Sequence, residues 1–350
     1  MTVQLTDVKA NIPMDSAVAA VQSTSAYWQS MSSGRLSMSV ASTETFNSRS
    51  ASSVQRYSDM MNTITNELGW VPNPYTALVV FVSTPTLSNG AYGAGWSYNG
   101  TSGRVIMPLP ATLTKSVLTH EFGHVLGLMH ANSLECGSGA QDVATKADGS
   151  FADSSCSIRE YGDTLDLMGA SHWDQPVISS TLWDFGGFGN GREIRNLGTV
   201  STRTSATLTA WAGTGDNRAA KFTDSVSGEV YYLELRLPVG YDTAYAVNGN
   251  RGVKIAQQLG AGSLILMPDS RRFAGLYNSQ HTWQAGQTFT THAGTKVSID
   301  WVSASAASVT IESTPAIAAG AIAGVASASA SVLGAQTSGV ICGLRAGGCF

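Results

Sequence analysis

The stretch "THEFGHVLGLMH", residues 119–130, sets three histidines, a glutamate and a glycine at fixed offsets. On a helix His120 and His124 stack on one face, four residues apart, so their imidazoles converge. Glu121 projects about 100° away from His120. It is badly placed there as a ligand and well placed to touch a water held at the same point. Gly127 stands where such a helix needs a residue that tolerates positive φ in order to stop. The chain then turns back and brings His130 in from another direction. Three imidazole nitrogens with a fourth position open describe a catalytic zinc site. A buried apolar helix with incidental histidines is the plain alternative, since Val125, Leu126, Leu128 and Met129 surround them. Against it, five fixed positions coincide by accident in a chain this long with a probability of only ~10⁻⁵.

Upstream, Val54, Tyr57, Met61, Ile64 and Leu68 step by three and four, the period of an amphipathic helix that Gly69 ends. An earlier helix is predicted from Asp15 to Met31, with Val18, Val21, Trp28 and Met31 on its apolar side. Between the two, "RLSMSV" (35–40) predicts a short strand. "TALVVFVS" (76–83) predicts a strand buried on both faces. "AYGAGWSYNGTSGRVIMPLP" (91–110) predicts two strands around a turn at 99–103, with the histidine-bearing helix starting near Thr112. This order predicts an α/β unit, a mixed sheet packed on helices. Past residue 200 the runs "TSATLTAW", "EVYYLELRLP", "GVKIAQQL", "SLILMP", "TKVSIDWVS" and "SVTIES" predict an antiparallel β-sandwich of about 110 residues. The expected divisions are 1–200, 201–312 and an Ala/Gly/Ser-rich, low-complexity tail over 313–350.

Charged residues are 13% of the 350, about half the usual share, and net charge is −4 without a basic block. Nucleic acid and anionic membranes are thereby disfavoured as partners. The tail is long enough to span a bilayer, yet Ala, Gly and Ser give little transfer energy, so no membrane span is expected. "MTVQLTDVKANIPMDSAVAA" (1–20) lacks a basic start followed by an apolar run, so no signal peptide is visible. A mature or truncated form, or another export route, is the expectation. The four cysteines fall into two local pairs, Cys136/Cys156 and Cys342/Cys349, neither with C-x-x-C spacing. Disulfides are expected, and with them an oxidising compartment. "KADGSFADS" (146–154) offers oxygens for Ca²⁺ but lacks the spacing of a calcium loop, leaving that ion unsupported.

Thirty-eight residues past His130, "EYGDTLDLMGAS" (160–171) puts Met168 in a tight, Gly-flanked turn. With "HEFGHVLGLMHA", this resembles the metzincin metalloproteases, and within them the gametolysin family most closely. The resemblance spans roughly residues 10–312. It implies that His120, His124 and His130 hold one Zn²⁺, that Glu121 is the general base and that Met168 lies beneath the ligands in a Met-turn. One departure stands out. Some metzincins carry a tyrosine two residues after the methionine, where this chain has Ala170; Tyr161 and His172 are near in sequence but not at that place. The resemblance further implies a secreted endopeptidase acting on cell-wall or extracellular glycoproteins. Its substrate would lie extended along "GAGWSYN" (93–99), with a pocket wall drawn from His172 to Trp183, and the protein would be a monomer. Two rivals are a catalytically silent adhesion or binding protein on the same fold and a zinc hydrolase of another acyl bond. An intact Glu121 argues against the first, since a binding protein needs no base.

Overall fold

A run such as "ALVVFV" has no polar face, so it is stable only where other elements cover both its sides. In the computed structural model, which describes residues 1–108, 114–171, 174–247, 250–271, 273 and 280–313, it is the middle strand of a five-stranded sheet. The first elements in chain order are β1 (Thr2–Gln4), α1 (Met14–Met31), β2 (Thr45–Asn47) and α2 (Tyr57–Glu67). They are followed by β3 (Ala77–Val82), β4 (Ala94–Ser97), β5 (Gly103–Met107) and α3 (Thr114–Val125). The strand order is β2-β1-β3-β5-β4. The pairings are parallel except for β4, which runs against β5 and ends the sheet.

Side-chain alternation divides this sheet's cover. Leu78, Val80, Val82 and Ile106 pack with Met60, Met61 and Ile64 of α2. Phe81, Val105 and Met107 pack with α1 and α3. In α1 the buried residues Ala17, Ala20, Thr24, Tyr27, Trp28 and Met31 fall at helical spacing. Two expectations change. Residues 35–40 form no strand; β2 lies further on and pairs with β1, and both are three residues long, too short to show a period. Val54 precedes α2 and is 82% exposed, so its helical spacing was coincidental.

The second set of elements begins with β6 (Ala131–Cys136), β7 (Cys156–Arg159), α4 (Ser180–Phe185), β8 (Ile194–Val200) and β9 (Thr204–Thr209). Then come β10 (Ala219–Asp224), β11 (Val230–Arg236), β12 (Gly252–Leu259) and β13 (Gly262–Ile265). The last are β14 (Thr288–Thr290), β15 (Lys296–Val302) and β16 (Ala306–Glu312). They form a seven-stranded sheet, β7-β6-β13-β12-β11-β10-β8, and a four-stranded one, β14-β15-β16-β9. One cluster of buried side chains draws on both sheets: Phe222, Tyr231, Leu233 and Ile255 from the first, Leu208, Phe289, Val297 and Val309 from the second.

The larger sheet is mixed where an antiparallel one was expected, because β8 pairs in parallel with β10 and β6 with β13. It also takes β6, β7 and β8 from the part expected to end at residue 200. Most of β6 is buried, so its main-chain groups need a partner on each edge, and β7 and β13 supply them. The expected disulfide joins Cys136 to Cys156, 20 residues apart and directly opposite in the β6–β7 pair. No helix among the described residues is long and apolar enough to cross a membrane. The tail from 314, with the Cys342/Cys349 pairing, and His172 lie outside the described residues.

Candidate metal centre

α3 carries His120 and His124 one turn apart, as its spacing required. It ends at Val125, and Gly127 takes φ 86°, the left-handed conformation that turns the chain back. Met129 then donates its amide to Ala261 O at 2.9 Å, and His130 O accepts from Ser263 N at 3.2 Å. The main chain that carries the third imidazole is thus fixed by Ala261 and Ser263, at and just before β13, and not by the helix. All three histidines are buried, at 4% exposure or less.

Each ring has its Nδ1 committed. His120 Nδ1 meets Leu167 O at 2.8 Å, His124 Nδ1 meets Leu128 O at 2.8 Å, and His130 Nδ1 meets Glu160 Oε1 at 2.7 Å. Carbonyl and carboxylate oxygens only accept, so each Nδ1 holds a proton and donates. The Nε2 atoms are left as bare lone pairs. Those of His124 and His130 face each other at 3.2 Å, and that of His120 has no hydrogen-bond partner. One nitrogen from each ring lies within 4.8 Å of the others. Two lone pairs at such a distance repel unless a cation sits between them, and the edge of a tetrahedral zinc–nitrogen site is about 3.3 Å. The donor set therefore fits a divalent metal of the zinc type, with its outer hydrogen bonds already in place. Burial, followed by the neighbouring His130, pushes His120 down to about 3, and burial holds His124 well below the usual imidazole range. Both rings are neutral, the form that ligates.

Glu121 is completely buried beside them. Neither of its oxygens meets a donor at full hydrogen-bond geometry. Burial lifts its carboxyl well above the usual range, and the approaching Gly95 amide offsets only part of this. A cation at the three imidazoles would favour the ionised form. Met168 is fully buried in the turn that the sequence indicated, and its carbonyl accepts from Ala131 N at 2.9 Å. Its sulfur reaches α3 because residue 123 is glycine: a Cβ there would lie 2.4 Å from Met168 Sδ and 3.2 Å from Trp28. Trp28 in turn donates its indole N–H to Thr119 O at 3.1 Å, backing the helix.

Two neighbours escaped the motif. Glu160 orients His130, and the Tyr161 ring packs on it with centroids 3.9 Å apart. Both stand in the quoted "EYGD" stretch, but an outer carboxylate has no fixed spacing that would single it out. Ala170, in the place of the absent tyrosine, donates its amide to Tyr161 O at 2.9 Å. The 146–154 segment spends its carboxylates on its own turns: Asp148 on Ser150, Asp153 on Ser138 and Ser155. A second group, Asp142, Glu229 and His292, also gathers three donors. Its members already bond one another and Tyr231, tying the disulfide-closed loop to the sheet.

Residues 94–171 match the model of the Peptidase M43 family, described as pregnancy-associated plasma protein-A. The matched stretch runs from β4 to just past Met168, under a quarter of the chain. It supports a zinc metallopeptidase of the metzincin type. No curated protein and no solved structure matches the chain.

Proposed function

We propose that the chain is a secreted zinc endopeptidase that hydrolyses extended segments of extracellular or cell-wall glycoproteins. The observation that carries this reading is the set of three proton-free Nε2 atoms around one point, with the uncommitted Glu121 carboxylate beside it. The likeness to gametolysin, which suggested the substrate class, belongs to the same proposal. When bound by His120, His124 and His130, zinc supplies Lewis acidity, acidifying water and polarising the scissile carbonyl. Glu121 accepts the proton of the attacking water and delivers it to the departing amine. Because neither of its oxygens is tied down, the carboxylate is available for both transfers. Met168, against Gly123, serves as the floor that keeps α3 at a fixed height.

β4, at the end of its sheet, is the proposed substrate edge. It lies flush on α3, since a Cβ at Gly95 would come within 2.2 Å of Glu121 O. A peptide added along β4 by main-chain hydrogen bonds would pass close to the base. Residues 1–200 form the catalytic part in this reading, and 201–312 support it. The disulfide and the low charge accord with life in an oxidising, extracellular compartment. The test is cleavage of casein or gelatin by purified protein, before and after chelation and after zinc is restored. Cleavage lost on chelation and regained with zinc is the expected result. Stoichiometric zinc with no cleavage of any protein substrate would overturn the proposal.

A further inference from the structure

Six charged side chains lie buried between β11, β12 and the segment that carries Met168. Glu234, Arg236, Lys254, Asp163, Asp166 and Asp242 are each 2% exposed or less. Desolvating so many charges costs several kcal/mol per ion, and apolar residues of equal volume commonly stabilise a core as well or better. Such a cluster is an inefficient way to gain stability and an effective way to fix geometry. Glu234 and Lys254 stand opposite each other in the β11–β12 register. Lys254 Nζ lies 2.5 Å from Asp163 Oδ2, 3.5 Å from Glu234 Oε1 and 3.9 Å from Asp166 Oδ2. Arg236 donates twice to Asp242, at 2.7 and 2.6 Å, and once to Glu234 at 2.9 Å.

These groups spend their remaining capacity on the main chain of one segment. Arg236 donates to Leu165 O at 2.5 Å and Val177 O at 3.3 Å. Asp166 accepts from Met168 N at 2.8 Å and Ser179 N at 2.6 Å. Asp163 accepts from Leu165 N at 3.0 Å, Asp242 from Val177 N at 3.1 Å and Glu234 from Ser180 N at 2.5 Å. His281 is also fully buried, and its Nδ1 lies 3.3 Å from Thr164 Oγ1. At the centre of the segment so held is Leu167, whose carbonyl orients the His120 ring.

We infer that Glu234, Arg236 and Lys254 are positioning residues of the metal centre: they clamp residues 163–168 and 177–180 and, through Leu167 O and Met168, set the His120 imidazole. The inference rests on the zinc-peptidase reading above. It makes the late sheet a working part of the site and not an appended module. Hydrogen-bond partners one shell out from a metal typically govern its affinity by 10–100-fold.

The test is zinc affinity, measured by competition with a chromophoric chelator. The double substitution Asp163→Asn/Lys254→Met removes one anion and one cation together, so the net charge of the cluster is unchanged. It should fold with a cooperative melt and bind zinc about 10–100-fold more weakly than the unaltered protein. Val309→Ala, in β16, is the control: it should lower the melting temperature and leave zinc affinity unchanged. If the double variant does not fold, Asp166→Asn is read in its place, because it loses one of the two amide contacts to Met168 and Ser179. A folded variant of either kind with unaltered zinc affinity overturns the inference. An unaltered protein that holds zinc but cuts no protein overturns the peptidase proposal alone, since the affinities can still be compared.

Discussion

Glu121→Gln should separate proton transfer from metal holding. The carboxylate it replaces is fully buried and accepts no well-formed hydrogen bond, so an amide of the same size breaks no existing contact. Glutamine cannot take up and return a proton. Each lost transfer is worth 10²–10⁴ in rate, so turnover should fall at least ~10³-fold, about 4 kcal/mol of barrier. Zinc content should match the unaltered protein, because the three imidazoles remain. The metal-free fold should respond in the opposite sense. Burial raises the folded carboxyl well above its ordinary value of 4.5. As pH rises through that ordinary value, the unfolded chain releases this proton while the folded, metal-free chain keeps it. The unfolded state then binds fewer protons, so stability falls with rising pH until the raised folded value is passed. One such group contributes a slope of up to about 1.4 kcal/mol per pH unit. Glutamine has no proton to lose, so the stability of Glu121→Gln relative to the unaltered protein should grow as pH rises above the ordinary carboxyl value of 4.5. Urea denaturation of chelator-treated protein reads that difference, alongside metal analysis and peptide cleavage. A zinc-loaded Glu121→Gln that cleaves within tenfold of the unaltered rate would refute the role of Glu121. A stability difference that stays flat with pH would refute the account of its burial.

Three further outcomes are expected. His124→Ala should lose zinc and activity together, since three ligands leave little margin, and metal analysis by mass spectrometry checks it. Replacing Cys136 and Cys156 by Ala should cost about 3 kcal/mol in urea denaturation, the chain-entropy value for the 20-residue separation. An unchanged denaturation midpoint would mean that the unfolded chain is already constrained there. Gly123→Ala should cost about 1–3 kcal/mol, because its Cβ would press on Met168 Sδ at 2.4 Å. A thermal melt reads that cost, and weakened zinc binding should accompany it.

What could be read in advance was what is local. His120, His124 and Gly127 lie within three turns of chain, so helix period and the need for positive φ placed them correctly. α1 and β3 were legible from period and from an unbroken apolar run. Other elements left no such trace. β1 and β2 have three residues each, and their pairing brings Thr2 beside Thr45, a match that no single run discloses. β6 reads as an ordinary "ANSLEC", yet it is buried because β13, 132 residues on, accepts it as a parallel neighbour at Ala131–Ser263. The charged cluster was invisible for a related reason. Asp163, Glu234 and Lys254 read singly as surface residues, and only strand register and a long crossing bring them together. The same long range conceals Glu160 as the partner of His130: the two are 30 residues apart with a disulfide-closed loop between them.

The dependence of His130 on β13 has a consequence for how the protein is made. Two imidazoles are available as soon as α3 has formed, but the third is not aimed until residues 261–265 have been synthesised and have paired with 129–133. At translation rates of 5–20 residues per second, the 133 residues from His130 to Ser263 take roughly 7–27 s. Through that interval the third imidazole is not in place, and on the zinc-peptidase proposal no competent centre exists with which the chain could cut itself or its neighbours. Chain order thus acts as a timer, with assembly of the reactive site deferred until most of the scaffold that must survive it exists.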